Sequence, residues 1–250
     1  MHRYRIYVPI EPRTGIVHLR NQVAHRLLHV LRVGVGHEVL LTDGNGHEMH
    51  ARVIHCDRRN VNVSVEIEKV CTPNREPTVH VSLFAAVLKG EKFEWLIQKA
   101  VELGVREIMP MFTKRTIVRL SQQKNIDRQQ RWQAIAIHAM EQCGGCQLPV
   151  VEMPCQFDEA LTKLSRYSVR LIPYEGERER SLCDVLLNAD CVANGIAIII
   201  GPEGGFASDE VRKAQDVGAI PVTLGRRILR AETAAIVTVA LVLSYFKQLG

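Results

Sequence analysis

The spacing of apolar residues changes partway along the chain, and the change divides it in two. Over residues 4–70 apolar positions come in short runs: Val39-Leu40-Leu41-Thr42, then His50–Ile54 and Val61–Ile67, the last two separated by Asp57-Arg58-Arg59-Asn60. Alternation with a period of two marks strands with one buried face. The first run is followed by Asp43-Gly44-Asn45-Gly46, a tight-turn signal, because glycine and asparagine accept the positive φ that hairpin turns require. One helix is expected here, from about Gln22 to Leu31, with His25, Arg26, His29 and Arg32 arranged around Leu27, Leu28 and Leu31. The segment reads as a small β-rich domain of barrel type. Pro73 and Pro77 then interrupt regular structure, so the expected division is residues 1–72 and residues 73–250.

Beyond the prolines the period alternates between strand and helix. Val79–Val87 reads as a buried strand, Phe93–Leu103 as an amphipathic helix stopped by Gly104, and Val105–Met109 as a second strand. Arg128–Gln142 forms a helix with Trp132, Ile135 and Ala139 on its apolar stripe. Val169–Ile172 and Ile196–Ile200 are further strands. Ser208 is placed to cap a helix that runs to about Val217, Val222–Leu224 is a last short strand, and residues 232–248 close the chain as a helix. This rhythm predicts an α/β domain built on a mostly parallel sheet.

Composition changes the picture only slightly. Thirty-two Lys and Arg face twenty-seven Asp and Glu, and the resulting charge of +5 is a lean towards a phosphate-rich partner. The amino end is basic but lacks the long apolar core of a secretion signal. Thr233–Phe246, the longest uncharged run, falls short of the roughly 20 residues that span a bilayer. A cytoplasmic protein with no membrane association is expected. Seven cysteines, odd in number and irregular in spacing, argue against a disulfide scaffold. Cys143-Gly-Gly-Cys146 has the spacing of half a zinc site, but its two glycines fit a bend at a helix end better, and no metal is expected.

The chemistry concentrates in two segments. Ile198-Ile199-Ile200 ends in Gly201-Pro202-Glu203-Gly204-Gly205-Phe206, with a helix just beyond. Leu224-Gly225-Arg226-Arg227-Ile228-Leu229-Arg230 repeats the arrangement before Ala231-Glu232-Thr233. Here Thr233 is placed to cap the helix, or Glu232 to favour its amino end through its charge. Ligands of open α/β sheets meet the carboxyl ends of strands, and glycine lets backbone approach them closely. Two such loops suit an uncharged adenine and a ribose. Neither carries the phosphate cradle of an ATP or GTP site, and GxGxxG, GxSxG and HExxH are all missing from the chain.

These segments resemble the bacterial 16S ribosomal RNA uracil-N3 methyltransferase family, within the SPOUT-type superfamily of knotted methyltransferases. The resemblance is carried by His29-Val30-Leu31-Arg32 and Asp43-Gly44, by Lys89-Gly90-Glu91-Lys92, and by Gln98-Lys99-Ala100-Val101-Glu102-Leu103-Gly104-Val105 with Ile108-Met109-Pro110. It continues through Trp132, Ile135, Glu141-Gln142-Cys143-Gly144, Gly201–Gly205, and Leu224-Gly225 with Ile228–Ala234. One departure stands out: Gly145 occupies a place where the family usually has arginine.

The resemblance implies a PUA-like β-barrel for RNA binding at residues 1–72. It also implies an α/β methyltransferase domain with a deep trefoil knot at 73–250, and a homodimer acting on 16S rRNA within the small subunit. S-adenosylmethionine is the implied cofactor, held by Leu171, Ile200, Gly201, Pro202, Glu203, Gly204, Gly205, Leu224, Gly225, Ile228, Leu229 and Arg230. Arg230 is expected to meet the substrate, with Glu203 and Glu232 as the carboxylates available for N3 deprotonation. Arg3, Arg5, Arg26, Arg32, Lys89, Lys92 and Arg115 are the candidate RNA contacts. Two rival readings are ribose 2′-O methylation and a non-catalytic RNA-binding protein of ribosome assembly.

Overall fold

The computed structural model describes residues 4–118, 122–188 and 192–249. Arg3, one of the candidate RNA contacts, lies outside the described residues. The chain divides into two compact units, Met1–Glu76 with Met140–Leu148, and Pro77–Ala139 with Pro149–Gly250. This differs from a single cut at residue 72, because the first unit is discontinuous in sequence.

In the first unit, β1 (Tyr4–Tyr7), β2 (Gly15–Leu19), β3 (Glu38–Thr42), β4 (Glu48–Asp57) and β5 (Asn62–Cys71) form one sheet in the order β1-β3-β4-β5-β2. Only the β1–β3 pair is parallel. Register shifts between His50 and Ala51 and between Val53 and His55 mark β-bulges, which bend the sheet around its apolar face. That face buries Ile6, Leu41, Met49, Val53, Val65 and Ile67 together with Leu27 and Leu28. The latter two come from the expected helix, which is α1 (Asn21–His25) continued by a π-helical turn at Arg26–Val30. His25 and His29 stay exposed on it, their ring centroids 4.8 Å apart. In the β3–β4 turn the Asp43 carboxylate accepts the N–H groups of Asn45 and His47, at 2.8 and 3.0 Å. It also pairs with His47 Nδ1 at 2.8 Å.

The second unit alternates strand and helix: β6 (Val81–Ala86), α2 (Lys92–Glu102), β7 (Glu107–Phe112), α3 (Gln122–Cys143), β8 (Val150–Val151), β9 (Cys155–Gln156) and α4 (Phe157–Lys163). After these come β10 (Val169–Pro173), α5 (Leu182–Leu187), β11 (Ile196–Ile200), α6 (Ser208–Asp216), β12 (Ile220–Val222) and α7 (Ala231–Tyr245). Its seven-stranded sheet runs β12-β10-β11-β6-β7-β8, with β9 also on β7, and every pairing is parallel. The fold class is the one expected, an α/β domain with a parallel sheet preceded by a β-rich domain. β6 and β11 are buried along their whole lengths, as strands covered on both faces must be. One face packs Phe84, Met111, Ile172 and Ile199 against Phe157 of α4 and Val211 of α6. On the other side α7 packs against β6, β11, α2 and α5.

Several element ends differ from expectation. α3 starts at Gln122 rather than Arg128, because its first two turns are polar and carry no apolar period. Its buried stripe is Trp132, Ala136, Ala139 and Met140, with Ile135 only half buried. Cys143 is the last residue of that helix, and Gly144 follows at φ +90°, so the Cys-Gly-Gly-Cys segment is the bend. Ser208 is the first residue of α6 rather than its cap; the free N–H of Ala207 is satisfied by Glu210 Oε2 at 2.9 Å. Thr233 lies inside α7, whose cap position is Arg230.

Candidate functional site

Three neighbouring strands, β12, β10 and β11, end on the same edge of the sheet, and a cleft of about 750 Å³ opens there. Its walls are the loops that leave those strands: Pro173–Arg178, Ile200–Phe206 and Thr223–Leu229. A cleft of this size, between about 300 and 1,000 Å³ and outside the carboxyl ends of parallel strands, accommodates a nucleoside-sized ligand.

The loop after β11 is fixed from several directions. Gly205 N–H donates to Pro202 O at 2.9 Å, closing a turn in which Gly205 has φ +67°. A Cβ on Gly205 would stand 2.3 Å from Glu175 Oε1, so the exposed glutamate side chain of the β10 loop lies over the open side of this glycine. Gly201 is restricted for another reason, since a Cβ there would press on the buried Phe206 ring at 3.0 Å. Arg115 Nη1 donates to Gly204 O at 2.8 Å, and Glu203 Oε1 accepts the N–H of Lys89 at 3.0 Å. Behind the loop, the buried Glu210 accepts the Lys114 N–H at 2.8 Å. The Lys114 ammonium, 2.6 Å from Asp209, holds that carboxyl below its ordinary pKa by hydrogen bonding and charge.

The other two loops are joined to each other. Tyr174 N–H donates to Val222 O at 3.1 Å, and Thr223 N–H donates to Arg180 O at 2.9 Å. Ile228 is 84% exposed at the tip of the last loop, an unusual setting for an isoleucine. At the base of α7, Lys92 Nζ lies 3.9 Å from both Glu203 Oε1 and Glu232 Oε1. Glu232 Oε2 is buried with no hydrogen-bond partner.

Most of the expected cofactor residues meet at the cleft: Ile200, Gly201–Gly205, Leu224, Gly225, Ile228 and Leu229 all line it. Leu171 does not. Its side chain is buried within β10, and it supports the strand from beneath. Arg230 is exposed at the start of α7, and neither it nor Glu232 is part of the cleft wall. The loop with Tyr174, Glu175 and Glu177 was missed at sequence level. Its signal is the strand Val169–Pro173 running towards Gly176, a weaker form of the strand-then-glycine pattern at Ile200-Gly201 and Leu224-Gly225, where glycine follows directly.

The candidate RNA contacts are dispersed. In the first unit Arg5 pairs with Glu48 at 2.8 Å and Arg26 with the buried Glu141. Arg32 is exposed. In the second unit Lys89, Lys92 and Arg115 all touch the loop after β11. Gly145 has no room for a larger side chain without movement, since a Cβ there would meet Met140 Cγ at 3.0 Å.

Comparison with known proteins agrees with this geometry. Residues 74–243 match the family model for an RNA methyltransferase domain, and residues 19–66 match the model for an RNA methyltransferase PUA domain. Ribosomal RNA small subunit methyltransferase E of Mesomycoplasma hyopneumoniae is 37% identical over 71% of this chain and 74% of its own length. The protein of that name in Bacillus subtilis is 28% identical over 86% of this chain and 85% of its own. The crystal structure of a ribosomal RNA small subunit methyltransferase E from Neisseria gonorrhoeae, bound to S-adenosyl methionine, has a TM-score of 0.88 at 32% identity. That likeness covers 98% of both chains. From the cleft at three parallel strand ends and these likenesses together, the chain belongs to the ribosomal RNA small subunit methyltransferase E family, with an RNA methyltransferase domain and a PUA-like domain before it.

Proposed function

We propose that the chain binds S-adenosylmethionine in this cleft and transfers its methyl group to N3 of a uridine in 16S rRNA of the small ribosomal subunit. The observation that carries the reading is the meeting of three strand-end loops around one cleft, each bearing glycine and the one after β11 bearing three. Backbone N–H and C=O groups of residues 201–205 and 224–229 suit adenine and ribose, which are uncharged. Glu175 and Glu177 offer carboxylates to a cationic ligand, on a wall shared with Arg178, Arg226 and Arg227. When bound, the cofactor supplies an electrophilic methyl group on a sulfonium sulfur.

Uracil N3 carries a proton at neutral pH, so transfer needs its removal or a setting that favours the anion. Glu203 lines the cleft and Glu232 does not. The proton-accepting role therefore goes to Glu203, and a positioning role at the start of α7 to Glu232. Arg230, exposed beside the cleft loop, is assigned to the RNA base, where its guanidinium offsets charge developing on a carbonyl oxygen. Arg32, Lys89 and Arg115 are left for RNA phosphates.

The active form is a homodimer through α7. Ala235, Val239, Val242 and Leu243 of that helix face its own unit, yet Leu241 and Tyr245 are 42% and 39% exposed. A helix apolar on more than one side has a second surface to cover. The trefoil knot implied by the resemblance belongs to the same proposal, and the parallel order β12-β10-β11 is compatible with it. Among the described residues no helix is long and apolar enough to cross a membrane. The cytoplasm, where ribosomal RNA is the substrate, is the compartment that belongs to this proposal.

The test is methyl transfer from tritiated cofactor to small-subunit particles, followed by nucleoside analysis. Label in 3-methyluridine is expected. Label on a ribose 2′-oxygen, or RNA binding without cofactor binding, would overturn the assignment.

A further inference from the structure

Far from the cleft in sequence, the pairing of β4 with β5 in the first unit brings three residues with ligand atoms together. Glu48 and Cys71 face each other across β4 and β5, and His50 follows Glu48 by two positions, so all three project from one side of the sheet. His50 Nε2 lies 3.4 Å from Glu48 Oε1 and 3.7 Å from Cys71 Sγ. Among the described residues this is the grouping of His, Cys and carboxylate atoms close enough to share an ion.

The geometry points to a binding site for one borderline-soft divalent cation of the zinc class, ligated by Glu48, His50 and Cys71. Zinc bonds of about 2.0–2.1 Å to nitrogen and oxygen and about 2.3 Å to sulfur, at tetrahedral angles, put neighbouring ligand atoms roughly 3.3–3.6 Å apart. The two His50 distances are close to those edges before any metal arrives. The rival reading, a thiol–imidazole–carboxylate relay, needs the carboxylate and the thiol on opposite ring nitrogens. Here both neighbours converge on Nε2, which cannot pass a proton across the ring but does suit a shared cation.

The surroundings orient the carboxylate. Glu48 is buried, and its Oε2 is held by Arg5 Nη2 at 2.8 Å and Arg75 Nη2 at 3.0 Å, leaving Oε1 turned to His50. Both guanidinium groups share that one carboxylate. Thiolate, imidazole and carboxylate together select zinc-class ions over magnesium or calcium, which take oxygen ligands. His50 is half-buried, so the site is open to solvent and its fourth position falls to water. The cation would staple β4 to the last residue of β5, just before the chain leaves the sheet.

The test uses the full chain, freed of metal with a chelator, and zinc or cobalt(II) salts alone as probes. We expect one equivalent bound per chain and a thiolate-to-cobalt charge-transfer band. Cys71→Ser and His50→Gln should each weaken binding by about tenfold or more. Cys71→Ser should abolish the band, while Cys143→Ser and Cys183→Ser keep it. Zinc should raise the melting temperature of the wild-type chain and not that of Cys71→Ser, whose circular dichroism reports that it is folded. A wild-type chain that binds zinc no more tightly than Cys71→Ser, or a band that survives that substitution, would overturn the assignment.

Discussion

The Glu175 carboxylate lies over the open side of Gly205: a Cβ on the glycine would stand 2.3 Å from its Oε1 atom, and the exposed glutamate side chain would have to turn aside. Gly205 also holds φ +67°, so a β-branched residue there is strained before it meets any neighbour. Gly205→Val should therefore move the loop and weaken S-adenosylmethionine binding by about tenfold or more, since a displaced backbone costs at least one hydrogen bond to a ligand. Gly204→Ala is the control, because its Cβ would make only ordinary contact with Arg115, at 3.6 Å. Calorimetry on both variants decides the point, and equal affinities would remove the loop from the cofactor site. Gly201 is a poorer place to test, as a side chain there disturbs the buried Phe206.

Lys92 joins two carboxylates from different loops, and Lys92→Met should leave them facing each other without a cation. Glu232 is 12% exposed and Glu203 26%, so the loss is partly screened by solvent, and about 1–2 kcal/mol of stability is expected to go. Combining it with Glu232→Gln should recover part of that loss in thermal melts. Additive losses would show that the ammonium and Glu232 are uncoupled.

Arg230 is exposed at the cap position of α7, where a purely structural role would make its replacement nearly silent. In the proposed role, Arg230→Lys keeps RNA affinity better than turnover, because the charge survives and the planar donor fork does not. Arg230→Ala should lower both further, with cofactor affinity within about twofold of wild type in each. Single-turnover transfer at saturating cofactor, paired with RNA binding, is the measurement. Wild-type turnover in both variants would withdraw the residue from the reaction.

Leu241→Asp places a charge on the outer side of α7, at a position that is 42% exposed in the isolated chain. Sedimentation at micromolar concentration should show the wild-type chain as a dimer and the variant shifted to monomer. A wild-type chain that stays monomeric and fully active would contradict the dimer.

Asp43 sets an acid limit on the first unit. Burial by itself raises its pKa, but the N–H groups of Asn45 and His47 and the His47 ring outweigh this, and the carboxyl titrates below its ordinary value of 3.8. A depressed folded pKa contributes stability above the unfolded value, and that contribution disappears as pH falls through the folded one. Asp43→Asn should cost about 1–3 kcal/mol near neutrality, typical of hydrogen bonds to a charged group. It should also flatten the loss of stability below about pH 4. Urea unfolding across pH 3–7 measures both effects.

The cleft was legible in the sequence where strand signal runs straight into glycine, as at Ile198–Gly205, because both patterns are local. Glu175 was not, since two residues separate its strand from Gly176 and its importance comes from facing Gly205 across the cleft. The ion pairs of Arg5 and Arg26 were illegible for a related reason. Nothing near Arg5 or Arg26 in the chain announces Glu48 or Glu141 as partners. The Glu48, His50 and Cys71 grouping depends on the register of two strands, which spacing alone does not fix. Nor did periodicity show that the end of α3 returns to the first unit.

That return has a consequence for how the molecule could be taken apart or assembled from pieces. Within the first unit, Glu141 Oε1 accepts the N–H of Tyr7 at 2.8 Å, and Cys146 O accepts that of Gly46 at 2.9 Å. Leu148 N–H donates to Gly44 O at 2.8 Å, and the Cys146 and Gln147 N–H groups both turn to Glu76. A gene fragment ending at residue 72 would therefore encode an unfinished barrel, with backbone groups and the carboxylate-bound Arg26 stripped of their partners. Neither half of such a chain can be borrowed, swapped or inherited cleanly by a single cut, and a graft of the first unit onto another enzyme would need to carry segment 140–148, the end of α3 and the loop after it, along with it.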